Sequence, residues 1–289
     1  MSSPSPEPER FIHPFPDLVS STVTDLVEIV ASISSFSFLL DDLVDESWSK
    51  EQLHTALGPI YALTQGDQMP DFGKLSELEA VVVNIFSKIR AYDANTTSNF
   101  GIDICKGMLK WYIELKREDT KALSAKGLES YLSFRPGAAG VELRDFLIRS
   151  RSFLIDHYPS GSHHLMEEAL LVELEDVVGR HGSLINDMYS YRREIKTATM
   201  RNEDPMALEN AVVISTNEKK LDEAQAFDFL MEYVARLEEK LLSLEEELKT
   251  IYGDGDEWSS LERYINGQKA VCAGNWVYST VSKKYNFDF

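Results

Sequence analysis

The sequence has little cysteine and shows no secretory signal. Its two cysteines, Cys105 and Cys272, form no metal-binding spacing and imply no disulfide framework. Residues 1–16 have neither a positively charged start nor an apolar stretch, and they contain five of the ten prolines. We therefore expect a disordered leader over residues 1–16 and a reducing, cytoplasmic location for the protein.

Long hydrophobic runs are also absent. The chain has no stretch of about 18 uncharged apolar residues, the length at which a membrane-spanning helix becomes plausible. Hydrophobic residues nevertheless make up 43% of the chain, which is ample for a core. The sequence therefore predicts no membrane span.

Basic residues are scarce relative to acidic ones. Lysine and arginine number 29 against 48 aspartates and glutamates, which gives a formal net charge of −19. This balance argues against nucleic acid as a partner, because binding to a phosphate backbone needs a basic surface. A small phosphorylated ligand remains compatible, because carboxylates can bind metal ions and the metal ions can bind phosphate.

The usual nucleophile and nucleotide signatures are missing too. There is no G-x-S-x-G, no H-E-x-x-H, no P-loop and no dinucleotide glycine fingerprint. The apolar residues instead recur at helical spacing, which predicts an all-α fold. We expect a helix break at Pro136-Gly137, a turn at Gly179–Gly182 and a helix start at Asp204-Pro205. The predicted helices include residues 17–45, 75–92, 96–118, 143–157, 165–178, 182–196, 206–216, 221–251 and 258–285.

One helical stretch carries a polar pattern with chemical meaning. Asn186, Ser190 and Glu194 follow one another at intervals of four, so their oxygens project from one helix face. An amide, a hydroxyl and a carboxylate form a hard oxygen site that suits Mg²⁺ and leaves room for phosphate oxygens. Arg193 lies beside Glu194 and could reach such a phosphate. Taken alone, the run is more often a solvated helix face.

A second acidic cluster lies upstream. Asp41, Asp42, Asp45 and Glu46 end a helix, residues 17–45, that has few charges before them. Four carboxylates at the end of a buried helix repel one another unless cations neutralise them. Taken alone, a helix that simply emerges into solvent at this point is the better explanation of the cluster.

Together the two clusters carry a resemblance. D-D-x-x-D at Asp41–Asp45 and N-D-x-x-S-x-x-x-E at Asn186–Glu194, about 145 residues apart, resemble the class I terpene synthases, and specifically their microbial, fungal branch. The similarity extends from about residue 22 to residue 285. It implies an all-α, single-domain helical bundle over residues 17–289, built around a central active-site cavity. It also implies three Mg²⁺ ions, bound by Asp41, Asp42, Asp45, Asn186, Ser190 and Glu194.

The resemblance assigns further residues near a helix break. In the family, an arginine that senses diphosphate precedes such a break, and here that position holds Arg135. Ala139 or Gly140 would then present a backbone carbonyl to the substrate. An ordinary Pro-Gly helix junction at Pro136-Gly137 accounts for the same residues as well as the sensor assignment does.

The C-terminal region matches the family with one departure. Gly274-Asn275-Trp276 is followed by Lys284-Tyr285, where family members commonly have an Arg-Tyr pair that donates to the diphosphate. Lysine keeps the charge but loses the planar, bidentate guanidinium. Tyr285 keeps its expected role, and Lys284 takes the place of the arginine as a point charge.

Aromatic residues would line the cavity that receives a carbocation. A cation over an aromatic ring gains about 0.5–2 kcal/mol. Phe38 and Trp276 flank the motifs and are the preferred substrate-binding candidates. For Phe36, Trp111 and Tyr285, core packing is the plainer interpretation.

The function implied by the resemblance is Mg²⁺-dependent ionisation and cyclisation of a linear prenyl diphosphate. Farnesyl diphosphate is the expected substrate, with diphosphate and a sesquiterpene as products. One alternative is a prenyltransferase of the same fold, although such enzymes carry two aspartate-rich motifs and this chain has one. Another is a non-catalytic acidic helical scaffold, suggested by the long helix 221–251. The sequence leaves open whether the protein forms a homodimer.

Overall fold

A computed structural model describes residues 119–138, 169–253 and 255–285, together with six helical positions between residues 80 and 91. Within these ranges every regular element is helical, and no strand occurs. The all-α prediction is therefore confirmed.

The chain divides into two compact units. One contains residues 1–14, 118–139 and 161–289, and the other contains residues 15–117 and 140–160. In the second unit the described positions are helical, as predicted for residues 75–92, and Val83 among them is buried. The single domain over residues 17–289 stays a prediction. All elements named below belong to the first unit.

The described elements of the first unit follow one another as short helices, one long helix, a 3₁₀ turn and three more helices. They are α1 (Thr120–Ser124), α2 (Leu128–Leu132), α3 (Arg135–Ala138), α4 (Ala169–Met200), the 3₁₀ turn Pro205–Ala207, α5 (Ala211–Lys219), α6 (Glu223–Tyr252) and α7 (Asp256–Val281).

Helix α4 is the central element, and it contacts α3, α5, α6 and α7. The predicted turn at Gly179–Gly182 is wrong, because α4 passes through both glycines without interruption. Gly179 instead allows close packing, since a Cβ at this position would lie 3.0 Å from the Pro136 Cβ of α3. The helix also continues beyond the predicted end at residue 196 to Met200.

The break before α3 differs from the prediction as well. Helix α2 ends at Leu132 and the turn falls at Ser133 and Phe134, whereas Pro136 and Gly137 are both inside α3. Proline is tolerated in the first turn of a helix because its missing N–H has no partner there. The proline therefore begins a helical turn here.

Helix α6 confirms the predicted long helix within two residues at each end. Asp222 and Gln225 form a reciprocal capping box at its start, which satisfies two backbone N–H groups. The buried residues repeat at intervals of three and four, and each buried leucine contributes about 1.5–3 kcal/mol. The buried residues of α6 are Ala226, Leu230, Val234, Leu237, Leu241, Leu244 and Leu248.

Contacts along α4 fix the directions of its two long neighbours. Lys240 pairs with Glu173, and the Phe227 ring packs against Tyr191, so α6 runs antiparallel to α4. The Tyr264 hydroxyl donates to Glu175 near the start of α4. Further along, the Asn275 amide donates to the Gly182 carbonyl, so α7 runs parallel to α4.

The segment between α4 and α5 is only partly as predicted. Asp204 caps the start of a helical element with Pro205 in its first position, but that element is a 3₁₀ turn. The predicted continuous helix over 206–216 is wrong, because Leu208 and Asn210 are extended. Asn210 then begins α5 by accepting a hydrogen bond from the Val212 N–H at 2.9 Å.

No helix in the described ranges combines the length and the apolarity that crossing a bilayer requires.

Candidate active site

Asn186, Ser190 and Glu194 share one face of α4. Ser190 is buried, while Asn186 and Glu194 are half-buried. The helical spacing that the sequence implied is therefore present. That these three residues bind a metal ion stays a prediction.

Glu194 lies in an electrostatically unfavourable place for a carboxylate. Burial, and after it the nearby Asp187, raises the pKa of Glu194 above its usual value. Hydrogen bonds from Ser190 and Asn210 and the charge of Arg135 oppose this rise. The Asn210 amide donates to Glu194 Oε2 at 3.0 Å. A carboxylate in such a setting gains from a nearby cation.

Arg135 reaches the same face of α4. Its Nη2 lies 2.6 Å from Asp187 Oδ1 and 3.3 Å from Asn186 Oδ1, and its Nε donates to Asp187 Oδ1 at 3.1 Å. Burial lowers the pKa of Arg135, but the charge of Asp187, the hydrogen bond to it and smaller contributions from Tyr131 and Glu194 together outweigh burial, so the pKa lies well above its ordinary value. The guanidinium is therefore charged.

Tyr285 joins this group from the other end of the chain. Its hydroxyl oxygen accepts a hydrogen bond from Asn186 Nδ2 at 2.7 Å. The residue lies in a turn after α7, where the Lys284 backbone N–H donates to Ser282 Oγ at 3.1 Å. Arg135, Asn186 and Tyr285 thus form one continuous chain of hydrogen bonds.

Asp187 is a site residue that the sequence reasoning missed. Its side chain is 1% exposed, and it accepts from Tyr131, Arg135 and the Ala211 backbone N–H. A signal was available, since Asp187 precedes Ser190 by three residues and therefore shares the polar face of the helix.

Tyr131 is fully buried beside Asp187. Its hydroxyl lies 2.6 Å from Asp187 Oδ2 and 3.0 Å from the Glu209 carbonyl oxygen. Burial and the charge of Asp187 raise the pKa of Tyr131 well above its ordinary value, against a lowering by Arg135. The hydroxyl therefore keeps its proton and donates a hydrogen bond to the carboxylate, which is a stronger acceptor than the Glu209 carbonyl.

Asn210 was also missed by the sequence reasoning. The residue is fully buried, and its Nδ2 donates both to the Asp187 backbone carbonyl at 2.9 Å and to Glu194. We call the three predicted metal ligands Asn186, Ser190 and Glu194 the metal triad. Asn210 therefore connects the segment before α5 with Glu194, the last member of this triad.

Two other predicted residues are less closely tied to this group. No described residue makes a hydrogen bond or ion pair with Arg193, which is half-buried. The half-buried Trp276 packs edge-on against Tyr189, with ring centroids 6.5 Å apart. Its place in a substrate cavity stays a prediction.

Several predicted site residues lie outside the described residues, and their assignments stay predictions. They are Phe38, Asp41, Asp42, Asp45, Ala139 and Gly140.

The family model for "Terpene synthase family 2, C-terminal metal binding" matches residues 33–240, which is well over half of the chain. The chain belongs to this family of terpene synthases. It is accordingly an enzyme, and membership implies a prenyl diphosphate substrate and the use of a divalent metal.

Curated relatives of this terpene synthase come from fungi. It is 24% identical over 267 residues to (+)-aristolochene synthase TS1 of Penicillium expansum, covering 92% of this chain and 75% of that protein. It is also 26% identical over 262 residues to ophiobolin F synthase oblA of Aspergillus clavatus, covering 91% of this chain and 33% of that protein.

Solved structures support the fold. Germacradien-4-ol synthase from Streptomyces citricolor matches the terpene synthase with a TM-score of 0.67 at 18% identity, covering 89% of this chain and 78% of that one. A linalool/nerolidol synthase from Streptomyces clavuligerus, in complex with 2-fluorogeranyl diphosphate, matches with a TM-score of 0.64 at 16% identity. That match covers 90% of this chain and 82% of the other. At these identities the likeness concerns the fold alone.

The donor set on α4 fits a hard divalent cation in this terpene synthase. Asn186, Ser190 and Glu194 offer only oxygen atoms, which Mg²⁺ prefers. Within the part of the chain that the structure describes, no group of three or more His, Cys, Asp or Glu could hold a metal ion. The mixed amide, hydroxyl and carboxylate set is the candidate metal site because its donors are oxygen atoms.

Proposed function

We propose that this terpene synthase ionises and cyclises a linear prenyl diphosphate in a Mg²⁺-dependent reaction, with farnesyl diphosphate as the substrate. Diphosphate and a sesquiterpene would be the products. The observation that carries the proposal is the hydrogen-bonded chain Arg135–Asn186–Tyr285. The names of the relatives add support, since several are aristolochene synthases.

Arg135 would bind the leaving diphosphate. Its Nε and Nη2 donate to Asp187 and Asn186, and no described residue bonds its Nη1. The two Nη1 hydrogens therefore remain for phosphate oxygens, in a planar geometry that phosphate favours. The charged guanidinium would stabilise negative charge that develops as the carbon–oxygen bond breaks.

Tyr285 would act beside Arg135. Its hydroxyl oxygen accepts a hydrogen bond from Asn186 Nδ2, which places the hydroxyl beside the predicted metal ligands. We propose that the hydroxyl hydrogen is donated to the diphosphate, with Lys284 supplying a further positive charge. The contact from Arg135 Nη2, which can only donate, fixes which end of the Asn186 amide presents its oxygen.

Asn186, Ser190 and Glu194 would hold Mg²⁺, which when bound neutralises charge on the diphosphate. On the motif alone, we propose Asp41, Asp42 and Asp45 as the other ligands, for three ions in all. Arg193 would contribute a further contact to phosphate. Phe38 and Trp276 would line the cavity, and Ala139 or Gly140 would face the substrate with a carbonyl.

The test is incubation with geranyl, farnesyl or geranylgeranyl diphosphate and Mg²⁺, followed by gas chromatography and mass spectrometry of a solvent overlay. We expect a sesquiterpene from farnesyl diphosphate and none in excess EDTA. Asn186→Ala should reduce kcat by about 10²-fold or more, the scale set by losing a charge-stabilising contact.

The matched control is Asn266→Ala, at an exposed asparagine of α7. It should retain wild-type turnover. Product formation that persists in EDTA, or an unchanged rate in Asn186→Ala, would contradict the proposed site.

The alternatives give different outcomes. A prenyltransferase would form a longer prenyl diphosphate when isopentenyl diphosphate is added, and the cyclase would not. The scaffold hypothesis is set aside by the membership of the chain in an enzyme family.

A further inference from the structure

The Asp187 carboxylate lies at the centre of the site, but the proposed function gives it no task. Four donors lie within 3.1 Å of its two oxygens: Arg135 Nε, Arg135 Nη2, the Tyr131 hydroxyl and the Ala211 backbone N–H. They come from α2, α3 and the start of α5. We call Tyr131, Arg135, Asp187, Asn210 and the Ala211 backbone N–H the Asp187 cluster.

We propose that Asp187 is a positioning residue for diphosphate binding, which acts through Arg135 and through both ends of the metal triad. This inference rests on the proposed function, because it takes diphosphate as the ligand of Arg135. Asp187 itself would touch neither the metal nor the substrate.

The hydrogen-bond capacity of Asp187 excludes it as a metal ligand. A carboxylate offers about four lone-pair sites. Oδ1 accepts from Nε and Nη2 of Arg135, and Oδ2 accepts from Tyr131 and Ala211. All four sites are used within the protein, so a metal could be bound only by breaking these contacts in a buried place.

The geometry at Oδ1 sets the orientation of Arg135. Two donors of one planar guanidinium converge on a single oxygen, which fixes the plane and directs Nη1 away from Asp187. The remaining Nη2 hydrogen reaches Asn186 Oδ1. Asp187 thereby holds the diphosphate-binding edge of Arg135 beside the first member of the metal triad.

The contacts of Asp187 with the segment before α5 reach the last member of the triad. The Ala211 N–H binds Oδ2, and Asn210 Nδ2 binds the Asp187 backbone carbonyl. The same Nδ2 donates to Glu194. If Asp187 loses its side-chain acceptors, the support that orients Glu194 should weaken too.

The test is the affinity for inorganic pyrophosphate in the presence of Mg²⁺, measured by isothermal titration calorimetry on the full chain. Asp187→Asn keeps the size but removes the counter-charge of Arg135 and one pair of acceptor sites. We expect pyrophosphate to bind about tenfold more weakly or worse, the cost of one charge-assisted hydrogen bond. Asp176→Asn, at an exposed aspartate of the same helix that pairs with Arg180, should bind like the wild type.

Tyr131→Phe is the milder variant, because it removes one hydroxyl and keeps the ion pair. It should weaken pyrophosphate binding roughly two- to fivefold, as expected for one hydrogen bond. The control is Tyr233→Phe on α6, whose hydroxyl donates to Glu129 at the surface. If Asp187→Asn does not fold, Tyr131→Phe decides.

Wild-type affinity in Asp187→Asn, or in Tyr131→Phe where the first does not fold, would overturn the inference. Measuring pyrophosphate affinity tests the inference about Asp187 separately from the proposed function. A wild type that makes no terpene, but whose pyrophosphate binding depends on Asp187, would support the inference and contradict the cyclase. A wild type that makes a terpene but shows no dependence on Asp187 would contradict the inference alone.

Discussion

Arg135, Asn186 and Tyr285 lie far apart in the sequence, and single hydrogen bonds join them in the fold. The motif and the family resemblance indicated all three residues, because each has a donor or acceptor suited to diphosphate or metal. The spacing placed Asp187 on the same helix face, but it could not show the role of Asp187, which depends on four donors contributed by other segments. At the scale of the residue, the sequence shows the chemistry of a side chain. It does not show whether the donors of other segments occupy all of its hydrogen-bond acceptor sites.

Arg135→Lys tests the need for a planar guanidinium. Lysine retains the charge but cannot bind Asp187 and Asn186 while presenting a second edge to phosphate. We expect kcat/KM for the prenyl diphosphate to fall by about tenfold or more, since charge-assisted hydrogen bonds are lost. Arg236→Lys, at an exposed position of α6, is the control and should leave steady-state kinetics unchanged.

His181 makes a separate prediction about pH. It is buried in α4, with Nε2 3.2 Å from Glu238 Oε1. Burial lowers its pKa, but Cys272 and Glu238 outweigh burial and raise the pKa from 6.5 to about 9. Because the folded pKa exceeds the unfolded one, this stabilisation is complete below pH 6.5 and is lost as the pH rises through about 9.

We therefore expect the free energy of unfolding to decline between these pH values by on the order of 1–3 kcal/mol, since each pKa unit is worth about 1.4 kcal/mol. Urea unfolding at several pH values measures this decline. His181→Gln should flatten it, and parallel curves for the two proteins would contradict the assignment.

At the scale of the element, periodic patterns predicted helices well and glycine or proline predicted breaks poorly. Helix α6 was predicted within two residues because its leucine spacing and its cap are local. The turn predicted at Gly179–Gly182 was wrong, because glycine at 179 provides room for α3 rather than a bend. Whether a glycine marks a turn or a close contact depends on what packs against it.

Gly179→Ala tests this close contact. Alanine favours a helix by about 0.5–1 kcal/mol over glycine. Its Cβ, however, would lie 3.0 Å from Pro136 Cβ and push α3, with Arg135, away from α4 by a few tenths of an ångström. We expect little change in melting temperature but a roughly three- to tenfold lower kcat/KM, because small displacements near the reacting group are costly.

The matched control is Gly274→Ala in α7, where the added Cβ would meet nothing within 4 Å. In Gly274→Ala, the free energy of unfolding should rise by the full helical preference of alanine over glycine, without loss of activity. Equal effects of the two substitutions on activity would show that contact with α3 is not the cause.

At the scale of the whole molecule, the net charge of −19 makes cations part of the expected energetics. A ligand that binds only the native state stabilises it by about 2.7 kcal/mol at a hundred times its Kd. We expect Mg²⁺ and pyrophosphate together to raise the melting temperature more than NaCl of equal ionic strength does. In Asn186→Ala, the additional rise in melting temperature over that in NaCl should be lost. If NaCl raises the melting temperature of the wild type as much as Mg²⁺ and pyrophosphate do, the cause is general screening of charge.

The sequence by itself determined the all-α class, the acidic character and the chemistry of the motif on α4, because these depend on composition and on spacing within one helix. It also sufficed for the family. The tertiary structure decided the continuity of α4 through two glycines, the position of the turn before Arg135 and the partners of Asp187. Those features depend on contacts between segments that are distant along the chain, such as Tyr131 with Asp187 and Asn186 with Tyr285. Local periodicity carries no information about such contacts, since they arise only when the helices pack.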